Sequence, residues 1–453
     1  MTRTKDMTTG NVTKIIFGFF IPLLMTNLLQ QVYSFSDTAI VGKGLGDNAL
    51  AAVGNMASLT FLIIGFSMGM ANGFAVMIAQ HYGAKNIPAL KKAVAASVKL
   101  SGIIAALLTV FSVVFLRRIM VAMQTSDVIL EDSLRYGYII FGGLTATIAY
   151  NMCSCILRAL GDSRTPFNAI IVSTIINIVL DCFCIFVLHT GVEGPAAATI
   201  AAQIVSTAVC VSRIRKIDFL SLSCDDFAWD KDMYGQLLKN GLPMAFMNSI
   251  TAIGCIVLQY FVNGLGVDYT SAYSACSRYI NMFMLPGATA GHTMSAYSSQ
   301  NFGAARYDRI RDGVKVCLRT VTAAYLVLGS VMVFLPSVLA RVMLSGENTI
   351  ALASQYLPIS GAMLFAVDFL FVFRSCVQGM GQPMIPMISG ILEMVLRVAV
   401  VILFINVIGF RATALAEVCA WTGALIMNMT AYEVLIRRYI NNSKVQNTVC
   451  TCR

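Results

Sequence analysis

Two aspartates, Asp37 and Asp181, lie in long apolar segments of the chain, together with polar side chains at helical spacing. Gln30, Tyr33 and Asp37 follow one another at i, i+3 and i+7, which places them on one stripe of a helix. Asn177 precedes Asp181 by four residues, about one helical turn. Carboxylate, amide and hydroxyl groups in an apolar medium either bind a small hard cation through oxygen, or one carboxyl holds a proton. The pattern therefore predicts a cation or proton site.

Helix geometry indicates that these acids lie at a similar depth. At 1.5 Å per residue, Asp37 is about 34 Å beyond Lys14, and Asp181 is about 21 Å beyond Pro166. Thr199 opens the next apolar segment at a similar level, so it can share one pocket with the two aspartates. The structural alternative is that Asp37 only caps the outer end of its helix.

The second half of the chain carries its own charges within apolar segments, and these allow two interpretations. Glu393 and Arg397 stand at i, i+4, which favours an internal ion pair. Asp368 lies deep in its segment and can pair with Arg278 or Arg374. A second ion or substrate site at Asp368 is the alternative, and the sequence leaves both open.

The composition requires a membrane environment for these segments. Of the 453 residues, 57% are hydrophobic and only 12% are charged, whereas soluble domains carry about a quarter charged residues. The chain is therefore a multi-pass protein with the lipid bilayer as its partner. The net charge of +10 then indicates Lys and Arg on the cytoplasmic side, with no nucleic-acid partner. The scattered cysteines are interpreted as packing residues.

Twelve apolar stretches are each long enough to span about 30 Å of bilayer. They lie at 15–36, 50–76, 93–116, 135–157, 167–188, 195–214, 241–263, 271–297, 315–337, 352–376, 386–408 and 412–436. Lys and Arg are concentrated in alternate loops, which predicts that both termini are cytoplasmic.

An internal repeat organises the spans into two copies. AQHYGA at 79–84 matches SQNFGA at 299–304, 220 residues later, and Tyr136 matches Tyr356 at the same offset. Each copy holds six spans, so both enter the membrane in the same sense. We predict an all-α membrane protein of twelve transmembrane helices in two parallel six-helix bundles, related by a pseudo-two-fold axis along the membrane normal. The predicted regions are an N-lobe at 1–216, a cytoplasmic linker at 217–239 and a C-lobe at 240–453.

The repeat also separates scaffold positions from the acids. Asp37 matches Val257 or Leu258, and Asp181 matches Val401, so the two carboxylates belong to one bundle only. This favours a function in the N-lobe over a by-product of duplication. The chain has no GxxxxGK[ST] motif, and ATP is therefore not expected as the direct energy source.

Several motifs resemble the multidrug and toxic compound extrusion (MATE) family over nearly the whole chain. They are PLLMTNLLQQVYSFSDTAIVGKGLGDNALAAVG, GMANGFAVMIAQHYGAKN, LRALGDSRTPF, NIVLDCFCIF with GVEGPAAAT, and GLPMAFMNS. The resemblance is to the prokaryotic branch with an acid pair in the N-lobe. In the other branch a glutamate stands eight residues after the proline of span 7, and that position is Thr251 here.

The resemblance implies roles for particular residues. Pro22 would kink span 1, and Gln30 and Tyr33 would face the substrate cavity. Asp368 would be at most a second site in the C-lobe. The cation and proton site would comprise Asp37, Asn151, Asn177, Asp181 and Thr199, and a bound Na⁺ would be held by Asp37, Asn177, Asp181 and Thr199.

The resemblance implies an antiporter that exports organic, mostly cationic drugs or toxic compounds by alternating access, driven by H⁺ or Na⁺. The expected location is the plasma (inner) membrane, with a functional monomer, no cofactor beyond the coupling ion and no enzymatic activity. The alternative is a flippase for lipid-linked oligosaccharides or lipids, which would need cationic side chains along the cavity. The N-lobe spans offer little beyond the peripheral Lys99, while Arg278, Arg374 and Arg397 keep the alternative open.

Overall fold

The computed structural model describes residues 4–451, without the side chains of residue 58 and residues 443–451. Arg3 and Arg453, which count toward the predicted cytoplasmic charge, lie outside the described residues. The described residues form sixteen α-helices and no β-strand. This confirms the predicted all-α class.

In the first half of the chain the helices are α1 Val12–Leu45, α2 Asp47–Gly83, α3 Ile87–Ala122, α4 Asp127–Gly142, α5 Leu144–Ala159, α6 Arg164–Cys182 and α7 Glu193–Ile214. In the second half they are α8 Lys231–Leu265, α9 Val267–Phe283, α10 Leu285–Gly303, α11 Tyr307–Phe334, α12 Pro336–Met343, α13 Glu347–Ala362, α14 Leu364–Gly379, α15 Met384–Ile408 and α16 Arg411–Thr451.

The predicted spans correspond to these helices, with breaks that sequence periodicity does not reveal. Nine of the described helices are long and apolar enough to cross a membrane. Two further spans are helix pairs, α4 with α5 and α13 with α14, bent by 46° and 44°. The breaks fall at Gly143 and Met363, which are equivalent positions of the repeat. The span predicted at 271–297 is the pair α9 and α10, which is too rich in Ser, Thr, Tyr and Gly to be counted with the others.

The chain divides into two compact units. Unit 1 contains the residues up to Asp6 and Ile21–Ala245, and unit 2 contains Met7–Phe20 and the residues from Phe246 onward. The predicted lobe boundaries follow the loops and stay a prediction. The structural division instead falls inside α1 and α8, close to the prolines within these helices, Pro22 and Pro243. Each proline removes one main-chain hydrogen bond and weakens its helix at that place.

In unit 1, a close approach of backbones joins α2 to the first part of α8. A Cβ atom on Gly69 would lie 2.6 Å from the main chain of Ala245, and one on Gly73 would lie 2.5 Å from Gly241. Glycines four residues apart present a flat helix face, which allows two membrane helices to pack closely.

The predicted linker begins with two short 3₁₀ turns, Asp218–Leu220 and Cys224–Phe227. Ser223 and Asp226 cap the second turn reciprocally. Lys92 forms an ion pair of 3.3 Å with Asp230, which ties the linker to α3. From Lys231 onward the segment already belongs to α8.

Candidate functional site

The centre of the candidate site is a pair of aspartates on α1 and α6 of unit 1. Asp181 is fully buried and Asp37 is half-buried. Their carboxyl groups are neighbours that interact directly. One oxygen of Asp37 and both oxygens of Asp181 are buried without a hydrogen-bond donor among the described residues. Buried acceptors are normally satisfied, so these oxygens are available to a proton or a cation.

Two tyrosines and a threonine border the acid pair. The Tyr33 hydroxyl donates to Thr199 Oγ1 over 3.2 Å, which joins α1 to α7. Tyr33 and Tyr136 both interact electrostatically with Asp37 and Asp181. The sequence identifies Tyr136 only as the match of Tyr356 in the repeat. Only the packing of α4 shows that it faces the acids.

The other predicted site residues occupy different environments. Asn177, one turn before Asp181, is fully buried, and neither its amide oxygen nor its amide nitrogen has a hydrogen-bond partner among the described residues. Asn151 is buried on α5, and within the described part of the chain no hydrogen bond joins it to the acids. Gln30 is exposed on α1. Pro22 lies inside α1, where Thr26 Oγ1 donates to its carbonyl over 2.8 Å.

The helix that carries Asp181 changes its winding directly after this residue. Residues Phe183–Val187 form a π-helical turn, closed by a bond of 3.0 Å from the Leu188 amide to the Phe183 carbonyl. Such turns widen a helix and are frequent at functional sites. Asp181 therefore lies at the junction between regular α-helix and this turn.

The acid pair has no basic partner among the described residues. Nor do three His, Cys, Asp or Glu side chains converge there as a metal site. A metal ion would therefore depend on hydroxyl, amide or water oxygens in addition to the two carboxylates. Without a counter-cation, the two acids can retain one proton or one monovalent cation between them.

In unit 2 two buried glutamates are paired with arginines, unlike the aspartates of unit 1. Glu393 accepts from Arg374 over 2.6 Å and from Arg397 over 3.1 Å, which confirms the predicted ion pair of Glu393 and Arg397. Arg397 also donates to Glu417 over 2.9 Å. We name these four residues the buried ionic network. It satisfies each acid with a fixed cation, as buried charges require.

Asp368 stays apart from the buried ionic network. Its side chain is 1% exposed, and one of its oxygens has no hydrogen-bond partner in the described residues. Arg374, one of its two predicted partners, binds Glu393 instead. Within the described residues Asp368 forms no ion pair, so the pairing proposed from sequence is not observed. Its role as a second site stays a prediction.

The profile of the MatE family matches the chain twice, at residues 22–183 and 243–403. The chain belongs to the MATE family. The two matches begin at the equivalent prolines Pro22 and Pro243, which confirms the internal repeat. The family's transporters are not enzymes, in agreement with the prediction for this MATE chain.

Relatives and solved structures agree with this assignment. The MATE chain is 30% identical over 321 residues to a probable multidrug resistance protein, YoeA, of Bacillus subtilis, covering 69% of each chain. It is 20% identical over 393 residues to a FAD transporter of Shewanella oneidensis, covering 85% and 86% of the two chains. A crystal structure of MATE in the bent conformation superposes with a TM-score of 0.91 at 19% identity, over 98% of this chain and 99% of that one. The twelve-helix, two-bundle fold is thus that of the MATE transporters.

Proposed function

We propose that this MATE transporter is an antiporter that exports organic, mostly cationic compounds in exchange for H⁺ or Na⁺. The observation that carries the proposal is the Asp37–Asp181 pair, whose buried oxygens lack donors and whose charge lacks a cation among the described residues. An ionisable group at membrane depth is costly and is retained where it serves transport.

The contrast between the two units supports this assignment. In the buried ionic network each glutamate is held by an arginine at 2.6–3.1 Å, so a fixed cation already occupies these acids. Asp37 and Asp181 have no such partner, and their charge depends on what they bind. Ion uptake at this pair therefore changes the charge within unit 1, while the network stays constant.

Coupling follows if the ion and the substrate stabilise different states of the transporter. A ligand that binds two states equally shifts neither. In the proposed cycle the outward-open state takes up H⁺ or Na⁺ at the acid pair, which changes the packing of α1 and releases the exported compound. The inward-open state loses the ion and binds the next molecule.

The test is ethidium efflux from proteoliposomes under an imposed H⁺ gradient, an imposed Na⁺ gradient, or none. Asp37→Asn and Asp181→Asn keep the side-chain size but cannot carry the exchangeable charge. We expect each to reduce gradient-driven efflux to the level of empty vesicles. Asp47→Asn is the matched control, because Asp47 is an exposed acid in the same unit, and this variant should pump like the wild type.

The outcomes separate the possibilities. Efflux that responds to one gradient and disappears in both variants supports the coupled antiporter and identifies its ion. Normal pumping by both variants would reject the acid pair as the coupling site and direct attention to Asp368. If the wild type moves no organic cation under either gradient, the export of cations is rejected.

An anionic substrate is the second candidate, because one relative is named a FAD transporter. FAD efflux from the same vesicles tests it directly. The flippase alternative requires free cationic side chains. Arg374 and Arg397 are both paired with glutamates, so among the three arginines it depends on Arg278, which is exposed and forms no ion pair among the described residues.

We further propose a functional monomer in the inner membrane with both termini cytoplasmic. Reporter fusions at either end of the chain test the orientation, and crosslinking in native membranes tests the monomer. Cytoplasmic reporter activity at both ends and a single-chain band are expected.

A further inference from the structure

The two helices that carry the acids, α1 and α6, make a second contact further along the chain, beyond Asp37 and Asp181. Asp37 and Gly44 are seven residues apart on α1, and Asp181 and Ile185 are four apart, so each set lies on one face. A Cβ atom on Gly44 would lie 2.4 Å from Ile185 Cγ2. The backbone of α1 therefore touches the π-helical turn directly beyond the acids.

This contact is part of a packed core and is not a loose surface contact. Ile185 is 3% exposed and Val41, one turn before Gly44, is fully buried in the same apolar cluster. Gly42, the neighbouring glycine, faces Leu50 of α2 instead. Gly44 is thus the residue of this part of α1 that approaches the π-helical turn.

The π-helical turn is also held from its other side. The amide and the hydroxyl of Thr190 both donate to the Cys184 carbonyl, over 3.0 Å and 2.9 Å. Gly194, at the start of α7, has no room for a side chain, since a Cβ atom there would lie 2.7 Å from Cys184 Cβ. With α7 and the Thr190 loop on one side and α1 on the other, Ile185 cannot easily move away from a larger residue at 44.

We propose that Gly44 is a positioning residue for ion coupling: its contact with Ile185 sets the spacing of α1 and α6 and thereby the distance between the Asp37 and Asp181 carboxyl groups. The inference rests on the proposed function of this acid pair. Carbon atoms in contact lie about 3.5–4.0 Å apart. A methyl group at 44 therefore requires a displacement of roughly 1 Å close to the acids.

A displacement of this size matters because the acids act on each other only at short range. Hydrogen bonds and shared ions depend on oxygen positions within a few tenths of an ångström, and a 1 Å error in a preorganised site is costly. The groups that face the pair, Tyr33, Tyr136 and Thr199, come from α1, α4 and α7. Tyr136 and Thr199 do not move with α1, whereas Tyr33 lies on α1 and moves together with Asp37.

The experiment compares Gly44→Ala with Gly54→Ala, a matched control. Both add one methyl group to a helix of unit 1, but Gly54 has open space around its Cβ position. Alanine also favours helix over glycine, so a loss in Gly44→Ala cannot come from helix propensity. We expect the H⁺ or Na⁺ concentration for half-maximal ethidium efflux to change about tenfold in Gly44→Ala and to stay unchanged in Gly54→Ala.

Two second-site variants test the contact itself. Ile185→Ala removes Cγ2, so Gly44→Ala with Ile185→Ala should recover the wild-type ion dependence. Ile185→Val retains both γ-carbons, so Gly44→Ala with Ile185→Val should stay defective. A general loss of stability would give the opposite order. Alanine removes more of the buried side chain than valine does, so the double variant with Ile185→Ala would then be the more defective one.

A second readout does not depend on transport. Carbodiimides modify protonated carboxyl groups, and mass spectrometry of purified protein locates the label at Asp37 or Asp181. The pH midpoint of labelling should move by about one unit, a factor of ten in proton concentration, in Gly44→Ala and return in the Ile185→Ala double variant.

The possible failures are separable. If Asp37→Asn and Asp181→Asn pump normally, the proposed function fails together with the inference. If both are inactive while Gly44→Ala keeps wild-type ion dependence and labelling, the inference alone is overturned. Recovery by Ile185→Val as complete as by Ile185→Ala would also overturn it.

Discussion

Removal of Arg397 tests the energetic reasoning for unit 2 most directly. The Arg397 side chain is 2% exposed and lies among α14, α15 and α16. Its guanidinium donates to Glu417 Oε2 from Nε at 3.2 Å and Nη2 at 2.9 Å, and to Glu393 Oε1 at 3.1 Å. In Arg397→Ala, Glu417 loses its cation while Glu393 keeps Arg374 at 2.6 Å.

The expected cost follows from the charge that is left behind. Removing one partner of a buried pair lowers the free energy of unfolding by about 3–5 kcal/mol, because an uncompensated charge stays buried. Arg374→Ala leaves the same net charge, but Arg397 would still donate to both glutamates, so the cost should be smaller, about 1.5–3 kcal/mol. Arg397→Ala combined with Glu417→Ala leaves the balanced pair Arg374–Glu393. The double variant should therefore be more stable than the sum of its single changes by about 2 kcal/mol.

The assay is unfolding by SDS in mixed micelles, followed by far-ultraviolet circular dichroism. Arg437→Ala is the matched control: Arg437 pairs with Glu433 at i, i+4 over 3.4 Å, but both side chains are more than half exposed. Exposed pairs of this kind contribute about 0.5 kcal/mol or less. Equal free energies of unfolding for Arg397→Ala and the wild type would refute the reasoning, as would strictly additive effects in the double variant.

Two further predictions concern the N-terminal segment and the linker. Arg309 donates to the main-chain oxygens of Met7 and Gly10 at 3.2 Å and 2.9 Å. Arg309→Ala should therefore lower the free energy of unfolding in SDS by about 1–3 kcal/mol, whereas Arg311→Ala, at an exposed neighbour, should leave it unchanged. Equal losses in the two variants would contradict a stabilising role for these two hydrogen bonds. In the linker, hydrogen bonds from the Ser223 amide at 2.7 Å and hydroxyl at 2.9 Å hold the pKa of Asp226 below its usual value. Because the folded pKa is lowered, the turn should be protected from pepsin near pH 5 and lose that protection as the pH falls below about 4. Asp226→Asn should abolish this pH dependence and Asp225→Asn should keep it. A loss of protection in Asp226→Asn over the same pH range as in the wild type would refute the cap.

The elements that the sequence predicts well are those whose signal is local. A membrane span is a run of apolar residues, so the twelve predicted segments coincide with helices or helix pairs. Glu393 and Arg397 meet because i, i+4 positions are always neighbours on a helix. The bends at Gly143 and Met363 have no signal in the sequence, since hydropathy does not change across them.

The elements that it misses depend on contacts between helices. Tyr136 and Asp37 are nearly one hundred residues apart, and only the packing of α4 brings the tyrosine to the acids. Asp368 looked equally able to pair with Arg374 or to stand alone. The choice was made by Glu393, which reaches Arg374 from α15.

The sequence by itself determined the membrane environment, the repeat, the family and the acids that belong to one half only, because composition and motif order do not depend on how helices pack. The tertiary structure decided which acids have cations and which do not. It also placed the π-helical turn beyond Asp181 and brought Gly44 against Ile185. These features depend on distances of a few ångströms between segments far apart in the chain, and such distances are set by side-chain packing, which leaves no periodic signal in the sequence.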